Sequence, residues 1–120
     1  MKVILDTNFL IDSIRFNIDL KSELSGNEIF VLDSVIFEIE KIVKRGTKES
    51  SLAKLALEFI NKNNIKQLKA EENSVDESLI LYSKQGYAIA THDRALKTKL
   101  KKAGAKLIYI RQKRYLVTEG

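Results

Sequence analysis

Strands that alternate with helices predict an α/β fold, a three-layer α/β/α sandwich around a parallel five-stranded sheet. Three observations carry this reading. Short unbroken apolar runs at residues 3–5, 29–32 and 87–90 have the character of strands buried on both faces. Segments with apolar residues at helical spacing lie between them. The 120 residues are 44% apolar and 31% charged, which suits one core and a single domain over 1–120.

Val3-Ile4-Leu5 forms the first strand and ends at Asp6. A helix is expected over 8–14 and a short one over 19–25, stopped by Gly26. Residues 29–32 form the second strand. Ser34 is the expected N-cap of a helix whose inward face is Val35, Ile36, Ile39, Ile42 and Val43. Arg45 and Gly46 end it, and Thr47 is expected to cap the next helix. There Leu52, Leu55, Ala56, Phe59 and Ile60 recur at i, i+3, i+4, i+7 and i+8. Residues 65–68, polar in the middle, read as an edge strand. Ser74-Val75-Asp76-Glu77 has the form of a capping box, so a helix starts there and runs to Gly86. Residues 87–90 form the fourth strand. Thr91-His92-Asp93 leads into a helix with Leu96, Leu100 and Ala103 inward, and residues 106–110 form the fifth strand. Residues 115–118 add a short strand or a tail.

Absences narrow the chemistry. There is no Cys, and His92 is the only His, so thiolate catalysis, cysteine-ligated metal and multi-His metal sites are excluded. A bound metal must be held mainly by oxygen, which suits Mg²⁺ or Mn²⁺. No apolar run approaches the roughly 20 residues of a membrane span. The N-terminus carries an acid where a signal peptide continues its apolar stretch. A cytoplasmic protein without a membrane partner is expected.

In an open parallel sheet, ligands bind beyond the carboxyl ends of the strands. Asp6 follows the first strand and Asp93 follows the fourth; if these strands are neighbours, the two carboxylates face each other. Asp76 begins a helix that leaves the same edge, where the helix dipole favours negative charge. Glu38 adjoins the inward face of its helix, whereas Glu40 points about 200° away from it. Asp12 and Asp33 are extra acids near this edge, best explained as solvated surface. Clustered carboxylates repel one another, and a cation relieves the repulsion. Such a cation activates water for phosphodiester hydrolysis.

Four segments, Leu5-Asp6-Thr7-Asn8, Val35-Ile36-Phe37-Glu38-Ile39, Val75-Asp76-Glu77-Ser78-Leu79 and Ala90-Thr91-His92-Asp93-Arg94-Ala95-Leu96, together resemble the PIN-domain ribonucleases in order and spacing. The resemblance covers essentially the whole chain. It implies strand order 3-2-1-4-5, which sets the first and fourth strands side by side. It also implies a Mg²⁺- or Mn²⁺-dependent endoribonuclease acting on single-stranded RNA, with Asp6, Glu38, Asp76 and Asp93 as catalytic and metal-binding acids. Asn8 and Thr91 match supporting polar positions. His92 is not a required ligand and is expected to be a turn residue near the site. The Ile108-Tyr109-Ile110-Arg111 ending resembles archaeal relatives of the nucleases that process small-subunit rRNA. Type II toxin ribonucleases, silenced by an antitoxin, are similar too, so the implied partner is a ribosome-assembly protein or an antitoxin. Homodimerisation is common in the family. A non-catalytic RNA-binding module, or a phosphotransferase using Asp6 as nucleophile, are the alternatives outside it.

The net charge of +5 is unevenly spread. Residues 1–60 carry 8 basic and 10 acidic residues, residues 61–90 carry 4 and 4, and residues 91–120 carry 9 and 2. Arg94, Lys97 and Lys101 recur at i, i+3 and i+7 on one helix, so they form a stripe suited to an RNA backbone beside Asp93.

Overall fold

The computed structural model describes residues 1–71 and 74–120. Strand β1 (Lys2–Leu5) is central, and Val3, Ile4 and Leu5 are wholly buried. It pairs in parallel with β2 (Glu28–Leu32) on one side and with β4 (Ala88–Ala90) on the other. Beyond β2 lies β3 (Lys66–Leu68), and beyond β4 lies β5 (Leu107–Arg111), both parallel. A sixth strand, β6 (Tyr115–Glu119), pairs antiparallel with β5 and completes the order β3-β2-β1-β4-β5-β6. The five expected strands and their order are present, and the C-terminal segment is a full strand rather than a tail. Gln112 and Lys113, both at positive φ (54° and 55°), form its turn. Positive φ at both central residues suits a tight hairpin.

Right-handed crossovers in a parallel sheet lay the helices on its two faces. Helices α1 (Thr7–Arg15), α3 (Asp33–Arg45) and α4 (Glu49–Lys62) pack together, and α5 (Val75–Lys84) packs against α6 (Arg94–Lys102). The one-turn helix α2 (Leu20–Glu23) is capped by Asp19, which accepts from Ser22 N at 3.2 Å. Phe9, Leu10, Val35, Ile39, Ala53, Ala56, Leu79, Leu96 and Leu100 bury the inner faces of these helices against the sheet. Among the described residues, no helix is long and apolar enough to cross a membrane.

Two expected caps fall elsewhere. Helix α3 starts one residue before Ser34, and Ser34 makes no cap; among the described residues its buried Oγ has no hydrogen-bond partner. Instead, Asp33 Oδ1 accepts from Ser34 N at 2.7 Å and from Ala70 N at 3.0 Å. Thr47 likewise caps nothing. Ser50 closes the α3–α4 corner by accepting from Thr47 N at 3.0 Å and donating to Ile42 O at 2.8 Å. The inward stripe of α4 is Ala53, Ala56 and Ile60, with Leu55 turned out to solvent. Small residues let α4 sit close to α1 and α3, so the buried stripe runs through alanine instead of the larger leucine. Ser74 does cap α5, accepting from Glu77 N at 3.1 Å.

Candidate active site

The chain reverses its direction of strand addition at β1, so the carboxyl ends of β1 and β4 flank a crevice. Asp6 N donates to Ala90 O at 2.9 Å, which holds the two strand ends together. Asp6 is also the N-cap of α1, and its Oδ1 accepts from Thr7 N at 2.9 Å.

Thr91 sits at the end of β4 and is completely buried. Its Oγ1 donates to Asp6 Oδ2 at 3.0 Å and accepts from Asp93 N at 3.1 Å. One hydroxyl therefore ties the acid of the first strand to the backbone of the last. Asp93 is exposed and caps α6, its Oδ1 accepting from Leu96 N at 3.0 Å.

Glu38 lies on α3 and reaches the crevice through Thr7, whose Oγ1 donates to Glu38 Oε2 at 3.1 Å. Thr7 is itself buried. In the Leu5-Asp6-Thr7-Asn8 segment the only signal of its role is its place beside Asp6. Asn8, the expected supporting residue, is exposed on α1 and makes no side-chain hydrogen bond among the described residues. Glu40 is exposed, as its helical angle requires. Asp76 stands at the second residue of α5, half-buried.

Burial raises the pKa of the Asp6 carboxyl above the ordinary value, and the negative charges of Glu38 and Asp76 raise it further. The hydrogen bonds from Thr91 and Thr7 oppose this shift. Asp6 thus feels the charge of Glu38 and of Asp76, and Thr91 ties it to the backbone of Asp93. The all-oxygen donor set of these four acids fits a hard divalent cation by chemistry. Among the described residues, no three acidic or imidazole side chains converge into a ready-made metal cluster.

The two extra acids near this edge, Asp12 and Asp33, are engaged rather than merely solvated. Asp12 pairs with Arg15, which also pairs with Glu49 of α4, and it lies 4.0 Å from His92 Nδ1. His92 packs against the ring of Phe9 at a centroid distance of 5.8 Å. Burial lowers its pKa, as does Lys97, against the pull of Asp12. Among the described residues, its buried Nε2 has no hydrogen-bond partner.

Burial lowers the pKa of Lys97, and the charges of Lys101 and Arg94 lower it further against the pull of Glu119. Two of these three cations are already occupied. Lys97 Nζ lies 4.4 Å from the centre of the Tyr109 ring, and Lys101 Nζ is 3.2 Å from Glu119 Oε1 on β6.

The chain matches the PIN like domain family over residues 3–113. Ribonuclease VapC4 of Methanocaldococcus jannaschii is 32% identical to it, over 99% of this chain and 97% of that protein. The solved structure of the PIN domain endonuclease Utp24 superposes with a TM-score of 0.79 at 24% identity, covering 98% of this chain and 90% of that one. A domain of a functionally unknown protein from the same Methanocaldococcus superposes at 0.65 and 19% identity, over 92% and 91%. These two structures agree with the chain in fold. With its strand order, its acids at the edge of β1 and β4, and a family match over most of its length, the chain belongs to the PIN-like domain family.

Proposed function

We propose that residues 1–120 act as one PIN-like domain and as a metal-dependent endoribonuclease that hydrolyses phosphodiester bonds in single-stranded RNA. The observation that carries this reading is the Thr91 hydroxyl, which links Asp6 at the end of β1 to Asp93 at the end of β4. It makes one crevice of two acids far apart in sequence. A relative of matching length that bears the name ribonuclease supports the same reading.

In this proposal Asp6, Asp93, Asp76 and Glu38 hold Mg²⁺ or Mn²⁺. When bound, such an ion supplies activated water and neutralises charge at the phosphoryl group. The chain's own residues prepare the site. Thr91 fixes one Asp6 oxygen and the backbone of Asp93, and Thr7 holds Glu38 toward the same crevice. Asn8 lines its exposed rim as a supporting polar group. Arg94, Lys97 and Lys101 bind the RNA backbone on the α6 side.

Asp6→Asn and Asp93→Asn should each abolish Mn²⁺-dependent cleavage of single-stranded RNA while circular dichroism shows an intact fold. Full activity in both variants sinks the assignment. Within this chemistry, rRNA processing implies a ribosome-assembly partner and a cytoplasmic toxin implies an antitoxin. Growth arrest on expression, relieved by one co-expressed neighbour, selects the toxin; accumulation of rRNA precursors on deletion selects processing.

A further inference from the structure

The outer face of α3 carries a feature that the acids do not explain. Phe37 precedes Glu38 and is 60% exposed, the most exposed large apolar side chain among the described residues. Lys41 Nζ lies 4.6 Å from the centre of its ring. At 100° per residue, Phe37, Lys41, Lys44 and Arg45 share one face, at i, i+4, i+7 and i+8. That face is about 12 Å long, at 1.5 Å rise per residue. Lys41, Lys44 and Arg45 are exposed, and among the described residues none of them is in an ion pair. They differ in this from Lys101 of the α6 stripe, which Glu119 engages.

The chain leaves β2 into α3 and β4 into α6, so both helices start at the same edge of the sheet, on either side of β1. Glu38, the residue after Phe37, already reaches into the crevice through Thr7. An exposed ring, with Lys41 over it, at the crevice end of an exposed basic track has the chemistry of a single-strand binding surface. The ring stacks on a base of any identity, and the cations pair with successive phosphates. A protein partner fits less well, since burying three cations in a protein interface is costly unless each is paired.

We propose that the outer face of α3 is a second RNA-docking track, with Phe37 as the platform on which a base of the strand entering the crevice stacks. This rests on the nuclease reading for the direction of the strand, though its binding test does not depend on cleavage. The probe is a short, unstructured single-stranded RNA carrying 2-aminopurine, titrated onto the full chain in EDTA so that no cleavage occurs.

Wild type should quench the fluorophore. Phe37→Ala should weaken binding about tenfold and remove the quench, and Phe37→Trp should restore both. Removing Lys41, Lys44 and Arg45 together should lower the slope of log affinity against log salt by about 2. Because all four side chains are exposed, the variants should keep the wild-type far-UV spectrum. Unchanged binding by Phe37→Ala, or failure of the Trp variant to rescue, overturns the platform. A shift of Phe37→Ala in light-scattering mass with RNA affinity intact also overturns it, and makes Phe37 a protein contact. Wild-type binding without Mn²⁺-dependent cleavage defeats the nuclease reading and leaves the platform standing. Cleavage that Phe37→Ala does not alter, together with its unchanged binding, defeats the platform alone.

Discussion

Thr91 Oγ1 donates to Asp6 Oδ2 at 3.0 Å across 85 residues of sequence, and both groups lie at the ends of neighbouring parallel strands. This bond does more than position a catalytic acid. It satisfies one oxygen of a carboxylate that burial and two neighbouring acids make costly. Thr91→Val keeps the shape and removes the hydroxyl. It should cost about 1–3 kcal/mol in urea unfolding, because Asp6 Oδ2 and Asp93 N both lose a buried partner. It should also lower the cleavage rate, and Thr91→Ser should recover most of both losses. A Val variant as stable and active as wild type would mean that the hydroxyl only fills space.

Asp6 sets a sign for the pH dependence of the metal-free protein. Its pKa is raised in the folded chain, so the native state holds its proton over a pH range in which the unfolded chain has lost it. The contribution of Asp6 to stability is therefore fully present below the ordinary carboxylate range and is lost as pH rises through its folded value. Asp6→Asn removes this loss. In EDTA it should melt higher than wild type at neutral pH, with the gap closing as the solution is acidified. Equal melting curves at every pH would show that the carboxylate carries no such burden.

Mn²⁺ should restore what the carboxylate costs. A ligand that binds only the native state raises stability as its concentration passes its Kd. Wild type should therefore gain melting temperature with added Mn²⁺ and lose the gain in EDTA. Asp6→Asn and Asp93→Asn should gain little. A gain of the same size in both variants would place the ion elsewhere on the molecule.

Glu119 competes for Lys101. The pKa of Glu119 is lowered, first by hydrogen bonds from Lys101 and Tyr109 and then by the charge of Lys101, and the side chain is exposed. Glu119→Gln should leave stability nearly unchanged, as exposed pairs contribute little. It should free Lys101, so RNA affinity should rise at low salt and fall more steeply as salt is added. Identical salt curves for the two proteins would remove Lys101 from the RNA surface.

The corner between α3 and α4 separates two readings of one turn. Ser50 is buried and bonded to both Thr47 N and Ile42 O, whereas the Thr47 side chain is exposed and caps nothing. Ser50→Ala should cost about 1–2 kcal/mol in chemical unfolding, by loss of a doubly used hydroxyl. Thr47→Ala should change stability by no more than about 0.5 kcal/mol. The reverse order would restore Thr47 as the cap.

The strands were legible because each buried strand holds an unbroken apolar run, and Asp6, Asp76 and Asp93 because each follows a strand or begins a helix; Glu38, in the second turn of α3, was legible only through the helical period that sets it beside Val35 and Ile42. The order of the strands came from resemblance, since pairing is a long-range choice that local pattern does not encode. Ser34 and Ser50 show where local rules fall short. Both are serines near a helix start, and only tertiary contact decides which hydroxyl finds a partner. Leu55 fits the helical period of α4 and still faces solvent, because close packing selected alanine for the seam. Thr7 was hidden by its neighbour: beside an acid so plainly placed, a threonine at a helix start reads as ordinary helix entry. The β5–β6 turn left no signal, as Gln112 and Lys113 are not the Asn and Gly that such turns usually draw.

That hairpin has a consequence for the borders of the sheet. Without β6, strand β5 would be the outermost, offering Leu107, Ile108 and Ile110 beside a row of unsatisfied backbone groups, a template on which other chains could assemble. Folding back through Gln112 and Lys113 replaces this border with a strand whose ends, Tyr115, Thr118 and Glu119, face water. The opposite border, β3, is only three residues long and carries Lys66. Strand β6 is then itself the outer strand on that side, exposed and polar at its end, and the outer strand on the other side is short and charged; both features make a sheet border a poor template for assembly.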